Sequence, residues 1–121
     1  MKHQPVIAVG DDDQSVREAL ENLISSIGFE VNLFTSAEDF LDSDTPLQTD
    51  CAILDVRLPG ISGLELQHRL AADGQTIPVI IITAQGDDKT QDEAVAAGAI
   101  AFLKKPVKEE VLLAALQSAL K

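Results

Sequence analysis

A three-layer α/β sandwich around a five-stranded parallel sheet is the fold this sequence predicts, and three observations carry it. Short apolar runs alternate five times with segments of helical periodicity. Four of the five runs are apolar throughout, as strands covered on both faces must be. Because a helical segment lies between successive runs, the strands it joins pair in parallel through right-handed crossovers.

The elements follow in order. Val6-Ile7-Ala8-Val9 is the first strand, ending at Gly10 with three aspartates behind it. Val16, Ala19, Leu20, Leu23, Ile24 and Ile27 then recur at spacings of three and four, the apolar stripe of a helix that Gly28 terminates. Glu30-Val31-Asn32-Leu33-Phe34 alternates polar with apolar, which places this second strand at a sheet edge. Ser36 caps a short helix through Leu41, with Glu38 and Asp39 in the first turn, where the helix dipole favours anions.

Asp42 to Asp50 connects to the third strand, Cys51-Ala52-Ile53-Leu54, which ends at Asp55. Arg57 to Gly63 leads into a helix ending near Gly74, and Pro78 opens the fourth strand, Val79 to Ile82, which ends at Thr83. A helix from about Asp88 to Ala97 stops at Gly98, and Ala99 to Leu103 is the fifth strand. Lys104-Lys105-Pro106 turns into a last helix carrying Val107, Val111, Leu112, Ala115, Leu116 and Ala119. Five β-α units make a flavodoxin-like (βα)5 sandwich; the strand order 2-1-3-4-5 is the known one for that arrangement and does not follow from the pattern itself.

A length of 121 residues, 45% of them apolar and 24% charged, fits one domain spanning residues 1–121. No apolar run approaches the roughly eighteen residues of a membrane span, and Met1-Lys2-His3-Gln4-Pro5 has no secretory apolar stretch, so a cytoplasmic protein without membrane contact is expected. Nine Lys and Arg against twenty Asp and Glu give a net charge of −11, opposite to what neutralising nucleic-acid phosphates requires. Four Phe, with no Trp or Tyr, leave little for stacking on planar rings. Cys51, the single cysteine, lies in an apolar run and reads as core.

Sites in open parallel sheets form beyond the carboxyl ends of the strands, where the strand order reverses. There this sequence places Asp11, Asp12 and Asp13 after strand one, Asp55 after strand three, Thr83 after strand four and Lys105 after strand five. Each ionised pair about 5 Å apart costs on the order of 3 kcal/mol at an effective dielectric near 20, and one lysine does not offset three carboxylates. A hard divalent cation does, and oxygen-only ligands describe Mg²⁺ better than Zn²⁺. Asp55, alone at the end of the central strand, is the candidate nucleophile toward phosphorus; Asp11 and Asp12 share a turn suited to metal, and Thr83 and Lys105 supply a hydroxyl and a cation to phosphoryl oxygens. Singly, each feature has a plain reading: an aspartate run before a helix is capping, and Lys105-Pro106 is a turn. Four strands delivering them to one sheet edge is what points to a site.

These residues resemble the receiver domains of two-component response regulators over essentially the whole chain. Asp11-Asp12 followed by Arg17, Asp55-Val56-Arg57-Leu58-Pro59-Gly60-Ile61-Ser62-Gly63, Ile82-Thr83-Ala84 and Phe102-Leu103-Lys104-Lys105-Pro106 match that family's acidic pair, phosphoacceptor loop, switch-threonine turn and aromatic-lysine-proline signature. Ser36 to Leu41, Gly63 to Gln67 and Gln85-Gly86-Asp87 are similar to the FixJ-like class. The resemblance implies that Asp55 accepts phosphate from a sensor histidine kinase, that Asp12 binds Mg²⁺ directly and Asp11 directly or through water, and that the Arg57 backbone carbonyl is a further metal ligand. Lys105 is implied to contact the phosphoryl group, Thr83 to turn toward it and Phe102 to follow, with a cis peptide bond at Lys105-Pro106. The chain would then catalyse only its own phosphorylation and dephosphorylation, with Arg57 and Gln85 tuning water attack. Its expected partners are the kinase, an output domain or partner protein, and a second copy bound on phosphorylation through the face of helix four, strand five and helix five. On that face Asp87, Asp88, Asp92 and Glu93 are set to meet Lys104, Lys105 and Lys108.

Gly10 departs from the family, which more often has a branched apolar residue there. The FixJ-like class also usually continues into a helix-turn-helix output domain, so a stand-alone receiver and a piece of a longer regulator both stay open. Other functions are separable by residue. A phosphorylation-independent interaction module on the same fold would not need Asp11, Asp12, Asp55, Thr83 and Lys105 together. A flavin carrier would not set three aspartates against the FMN phosphate. An aspartate-based phosphatase would need a second acid where Arg57 stands.

Overall fold

The computed structural model describes residues 5–42, 49–57, 61–72, 74, 77–84, 88–105 and 107–120. All five apolar runs form strands: β1 (Val6–Gly10), β2 (Glu30–Phe34), β3 (Cys51–Asp55), β4 (Val79–Thr83) and β5 (Ala101–Lys104). They alternate with α1 (Gln14–Ile27), α2 (Ala37–Asp42), α3 (Gly63–Ala72), α4 (Asp88–Ala96) and α5 (Glu109–Ala119). Every pairing is parallel, in the order β2-β1-β3-β4-β5. Among the described residues no helix is long and apolar enough to cross a membrane.

Side-chain alternation along the strands divides the core into two layers. Ile7 and Val9, with Cys51, Ile53, Ile80 and Ile82, face α1 and α5 through Leu20, Ile24, Leu112 and Leu116. Ala8, Ala52, Leu54, Val79 and Ile81 face the other way, onto Phe40 of α2, Leu66 and Leu70 of α3 and Ala94 of α4. β1, β3 and β4 are buried along their whole length, whereas β2 and β5 are the half-covered edges. The alternation in β2 announced its edge position; the apolar composition of β5 concealed that it is the other edge.

Helix ends follow the expected chemistry. The Asp13 carboxylate caps α1, accepting from the backbone amides of Ser15 at 2.8 Å and Val16 at 3.4 Å. At the far end Gly28 takes the left-handed conformation, φ 103°, donating to the Ser25 carbonyl while Phe29 donates to that of Ile24. Ser36 and Ser62 accept from Asp39 and Glu65 and so start α2 and α3.

Two boundaries differ from the sequence reading, each for a backbone reason. Ala99 and Ile100 are not strand residues, because the Ala99 amide closes the end of α4 on the Ala94 carbonyl, with Gly98 at φ 101° donating to Val95; the ladder begins only once Ile100 has donated to Val79. Val107 lies before the last helix, not in it, and packs on the α1–α5 layer from the connection. The Lys105-Pro106 peptide, Gln85 to Asp87 and most of the Asp42–Asp50 connection lie outside the described residues.

The glycine at position 10 has a local explanation. A Cβ there would run into the Phe34 ring, which stacks on Phe40 with centroids 4.7 Å apart. An aromatic at the end of β2 therefore occupies the volume a branched side chain would need at the end of β1. Gly10→Ala is expected to lower stability by about 2 kcal/mol through overpacking, and Phe34→Leu in the same chain to recover part of the loss; urea unfolding of the two single variants and the double variant checks the coupling.

Candidate functional site

Strand order reverses between β1, whose next neighbour is β2, and β3, which leads on to β4. The crevice at their carboxyl ends is where the sequence set its acids. Gly10 pairs with Leu54, the last pairing of β1 with β3, so Asp11 and Asp55 emerge side by side. Both are buried, Asp11 fully and Asp55 with 4% of its surface exposed, while Asp12 is exposed. One carboxylate oxygen from each of Asp11, Asp12 and Asp55 lies within 4.8 Å of the others. Asp13, the third member of the run, does not join them, its carboxylate being committed to capping α1.

Lys105 reaches across from the end of β5. Its ammonium lies 2.8 Å from Asp55 Oδ2, as a hydrogen bond, and 2.8 Å from Asp11 Oδ2. Burial pushes the Lys105 pKa down, and the two carboxylates more than reverse this, holding it above its ordinary value. Burial is also the main influence on Asp11, raising its pKa; the Lys105 ammonium and the Asp13 amide oppose that and the Asp55 charge adds to it. The other oxygens are directed by backbone, Asp11 Oδ1 accepting from Asp13 N at 2.9 Å and Asp55 Oδ1 from Arg57 N at 3.0 Å.

Two of the remaining predicted residues, Thr83 and Arg57, are bonded through their backbone to members of this cluster. Thr83 is buried at the end of β4, and its carbonyl accepts from Lys105 N at 2.8 Å, so the hydroxyl-bearing and cation-bearing strands are tied directly behind the site. Phe102 of β5 pairs with Ile81 of β4 and is half-buried against the α2–α3–α4 layer. Arg57 follows β3 with its side chain exposed, and Leu58 to Gly60 lie outside the described residues. Glu38 of α2 accepts from Ile61 N at 3.3 Å, a support for the loop after Asp55 that the sequence reading did not identify.

The match to known proteins agrees with this geometry. Residues 7–117 match the response regulator receiver domain. The chain belongs to that family. As a receiver domain it is 48% identical over 118 residues to the response regulator protein TmoT of Ectopseudomonas mendocina, covering 98% of this chain and 54% of that protein. It is 45% identical over 114 residues to the transcriptional regulatory protein FixJ of Azorhizobium caulinodans, covering 94% and 54%. The receiver chain thus spans about half the length of these curated relatives. Among solved structures, the response regulator StyR superposes with a TM-score of 0.89 at 48% identity, covering 98% of this chain and 60% of that one. FixJ-N superposes with a TM-score of 0.86 at 33% identity, covering 98% and 94%.

The donor set of this receiver domain fits a hard cation on an observation of its own. Asp11 Oδ2 is buried and charge-paired with Lys105, yet among the described residues receives no directed hydrogen bond. One ammonium shared by two buried carboxylates, with a third carboxylate alongside, leaves the cluster anionic and rich in oxygen donors, as Mg²⁺ requires.

Proposed function

We propose that this domain accepts a phosphoryl group on Asp55, assisted by Mg²⁺, and uses that modification to change the surface formed by α4, β5 and α5. The observation that carries the reading is the meeting of the Asp11, Asp12 and Asp55 oxygens within 4.8 Å beside a lysine 2.8 Å from two of them. Asp12, Asp11, Asp55 and the Arg57 carbonyl would hold the ion, which supplies positive charge to the oxygens of the group in transfer. An Asp55 carboxylate oxygen bonds to phosphorus as the bond to the donor's leaving atom breaks, and that leaving atom carries the electron pair away. Lys105, with its proton held by two carboxylates, neutralises phosphoryl charge, and Thr83 offers a hydroxyl from the neighbouring strand. The chain acts on no other substrate; it catalyses only its own modification and its reversal.

A sensor histidine kinase is the donor partner in this reading, in the cytoplasm, and an output domain, a partner protein or a second copy reads the result. The α4–β5–α5 face suits that role. Val95, Ile100 and Val111 are exposed there, beside a hollow of about 370 Å³ lined by Phe102, Leu103, Lys104, Val107, Lys108 and Val111. Asp92 and Glu93 on α4 oppose Lys104 and Lys108 in charge. Two such faces related by a twofold axis set acid against base.

Intact-mass spectrometry after incubation with acetyl phosphate and Mg²⁺ tests the reading. A gain of one phosphoryl group is expected in the unmodified sequence and none in Asp55→Asn. No gain with several donors would favour the phosphorylation-independent interaction module.

Metal dependence gives a separate check. At a hundredfold excess over its dissociation constant, Mg²⁺ is expected to stabilise the protein by roughly 2.7 kcal/mol. Asp12→Asn should be more stable than the original in chelator but respond far less to Mg²⁺. Thermal melts with and without the ion decide, and an undiminished shift in Asp12→Asn would exclude Asp12 as a ligand.

A further inference from the structure

We propose that Arg17 is a positioning residue for the acidic turn, setting the cluster's affinity for a divalent cation by fixing the direction in which Asp12 presents its carboxylate. The proposal rests on the metal-assisted reading of the site and assigns a role to the one motif residue that reading leaves unused.

The turn from β1 to α1 leaves the sheet after Gly10, and Asp11, besides its ion pair with Lys105, is anchored at three points. Its amide donates to the Phe34 carbonyl at 3.4 Å, and its Oδ1 accepts from Asp13 N at 2.9 Å. Its carbonyl oxygen accepts from Arg17 Nη1 at 2.8 Å, across six residues of sequence. The next residue, Asp12, is exposed, and among the described residues its carboxylate accepts no hydrogen bond.

A peptide unit is a rigid plane, so the position of the Asp11 carbonyl oxygen fixes the plane that ends at the Asp12 Cα. Rotation of that plane would swing the Asp12 side chain, which among the described residues has no hydrogen bond of its own to hold it. Arg17 N also donates to the Asp13 carbonyl at 3.0 Å, so this residue's backbone belongs to the first turn of α1 while its side chain reaches back over that turn. The guanidinium thereby couples the direction of α1 to the direction of a metal ligand.

Charge and geometry predict opposite signs for removing it. A cation beside an acidic cluster repels Mg²⁺, so if Arg17 acted only through its charge, Arg17→Met would bind the ion more tightly. If it acts by holding the carbonyl, the same variant binds more weakly, because Asp12 must then be ordered at the moment of binding. We expect the second.

Calorimetric titration of the full chain with Mg²⁺ provides the readout, beside the Mg²⁺ dependence of phosphorylation by acetyl phosphate. Arg17→Met should raise the Mg²⁺ dissociation constant about tenfold, the scale of one charge-assisted hydrogen bond. The half-saturating Mg²⁺ for phosphorylation should rise with it, while the rate at saturating Mg²⁺ stays within about twofold. Arg17→Lys, which keeps a charged donor, should restore binding to within about threefold, and it serves as the folded comparison should the Met variant prove unstable. Tighter or unchanged binding in Arg17→Met, or a lysine variant as weak as the methionine one, overturns the proposal. Absence of Mg²⁺ binding by the original sequence would overturn the reading of the cluster instead.

Discussion

Lys105→Met should lower the stability of the metal-free protein by about 3 kcal/mol, since removing one partner of a buried ion pair leaves the other charges uncompensated. For a domain of this size that is a fall in melting temperature on the order of 10 °C. Asp11 and Asp55 would be left facing each other with their 2.8 Å partner gone. The Asp11 pKa is already raised by burial with the ammonium opposing the rise, so its removal sends that pKa higher. An acid whose folded pKa exceeds its unfolded value adds stability that is present below the unfolded value and lost as pH rises through the folded one. The variant's deficit should therefore shrink as pH falls through the range of the raised Asp11 pKa and shrink again on adding Mg²⁺. Melts across that range, in chelator and then in Mg²⁺, check both, and a deficit unchanged by pH would show that lost packing is responsible.

Gly63→Ala should be of comparable size for an unrelated reason. The first residue of α3 is buried, and a Cβ there would run into the carbonyl oxygen of Asp55, a backbone atom that cannot swing aside. Gly63 N also donates to the Val56 carbonyl at 3.1 Å, so α3 starts directly against the end of β3 that carries Asp55. Overpacking of this kind costs about 3 kcal/mol. Displacing Asp55 by about 1 Å should also slow phosphoryl acceptance on the order of a hundredfold. Urea unfolding and a phosphorylation time course measure the two effects, and a variant as stable and as fast as the original would remove Gly63 from the site's support.

The sequence was readable where a single physical rule dominates. Apolar runs without interruption give β1, β3 and β4; parallel strands deliver their ends to one edge of the sheet, where Asp11 meets Asp55 and the Thr83 carbonyl meets the Lys105 amide. It was less readable where a polar group is recruited across the fold. The Arg17 guanidinium on the Asp11 carbonyl and the Glu38 carboxylate on the Ile61 amide join side chains to backbone atoms, which carry no residue-type signal. Gln67, buried on the core face of α3 with its amide 3.5 Å from the Ala94 carbonyl, looks in the sequence like any solvated helix residue. The three aspartates after β1 divide between two arrangements, a helix cap at Asp13 and a shared cluster of carboxylate oxygens at Asp11 and Asp12, and only the direction of each carboxylate separates them.

The lone thiol in the central sheet has a consequence for how the molecule can be watched. Cys51 is fully buried in β3, and burial, with the charge of Asp50 adding to it, pushes its pKa up to about 12. At pH 8 only on the order of one molecule in ten thousand then carries the nucleophilic thiolate, and that one is sealed from reagent. An alkylating probe reacts only when the α1–α5 layer that covers Cys51 lifts from the sheet, so its rate, divided by the rate for an unstructured thiol, is the fraction of time that side of the fold stands open. The protein carries its own opening gauge, installed without substitution on the strand that ends in Asp55. Anything that steadies the acidic turn, whether a cation or a phosphoryl group, should register there as slower alkylation.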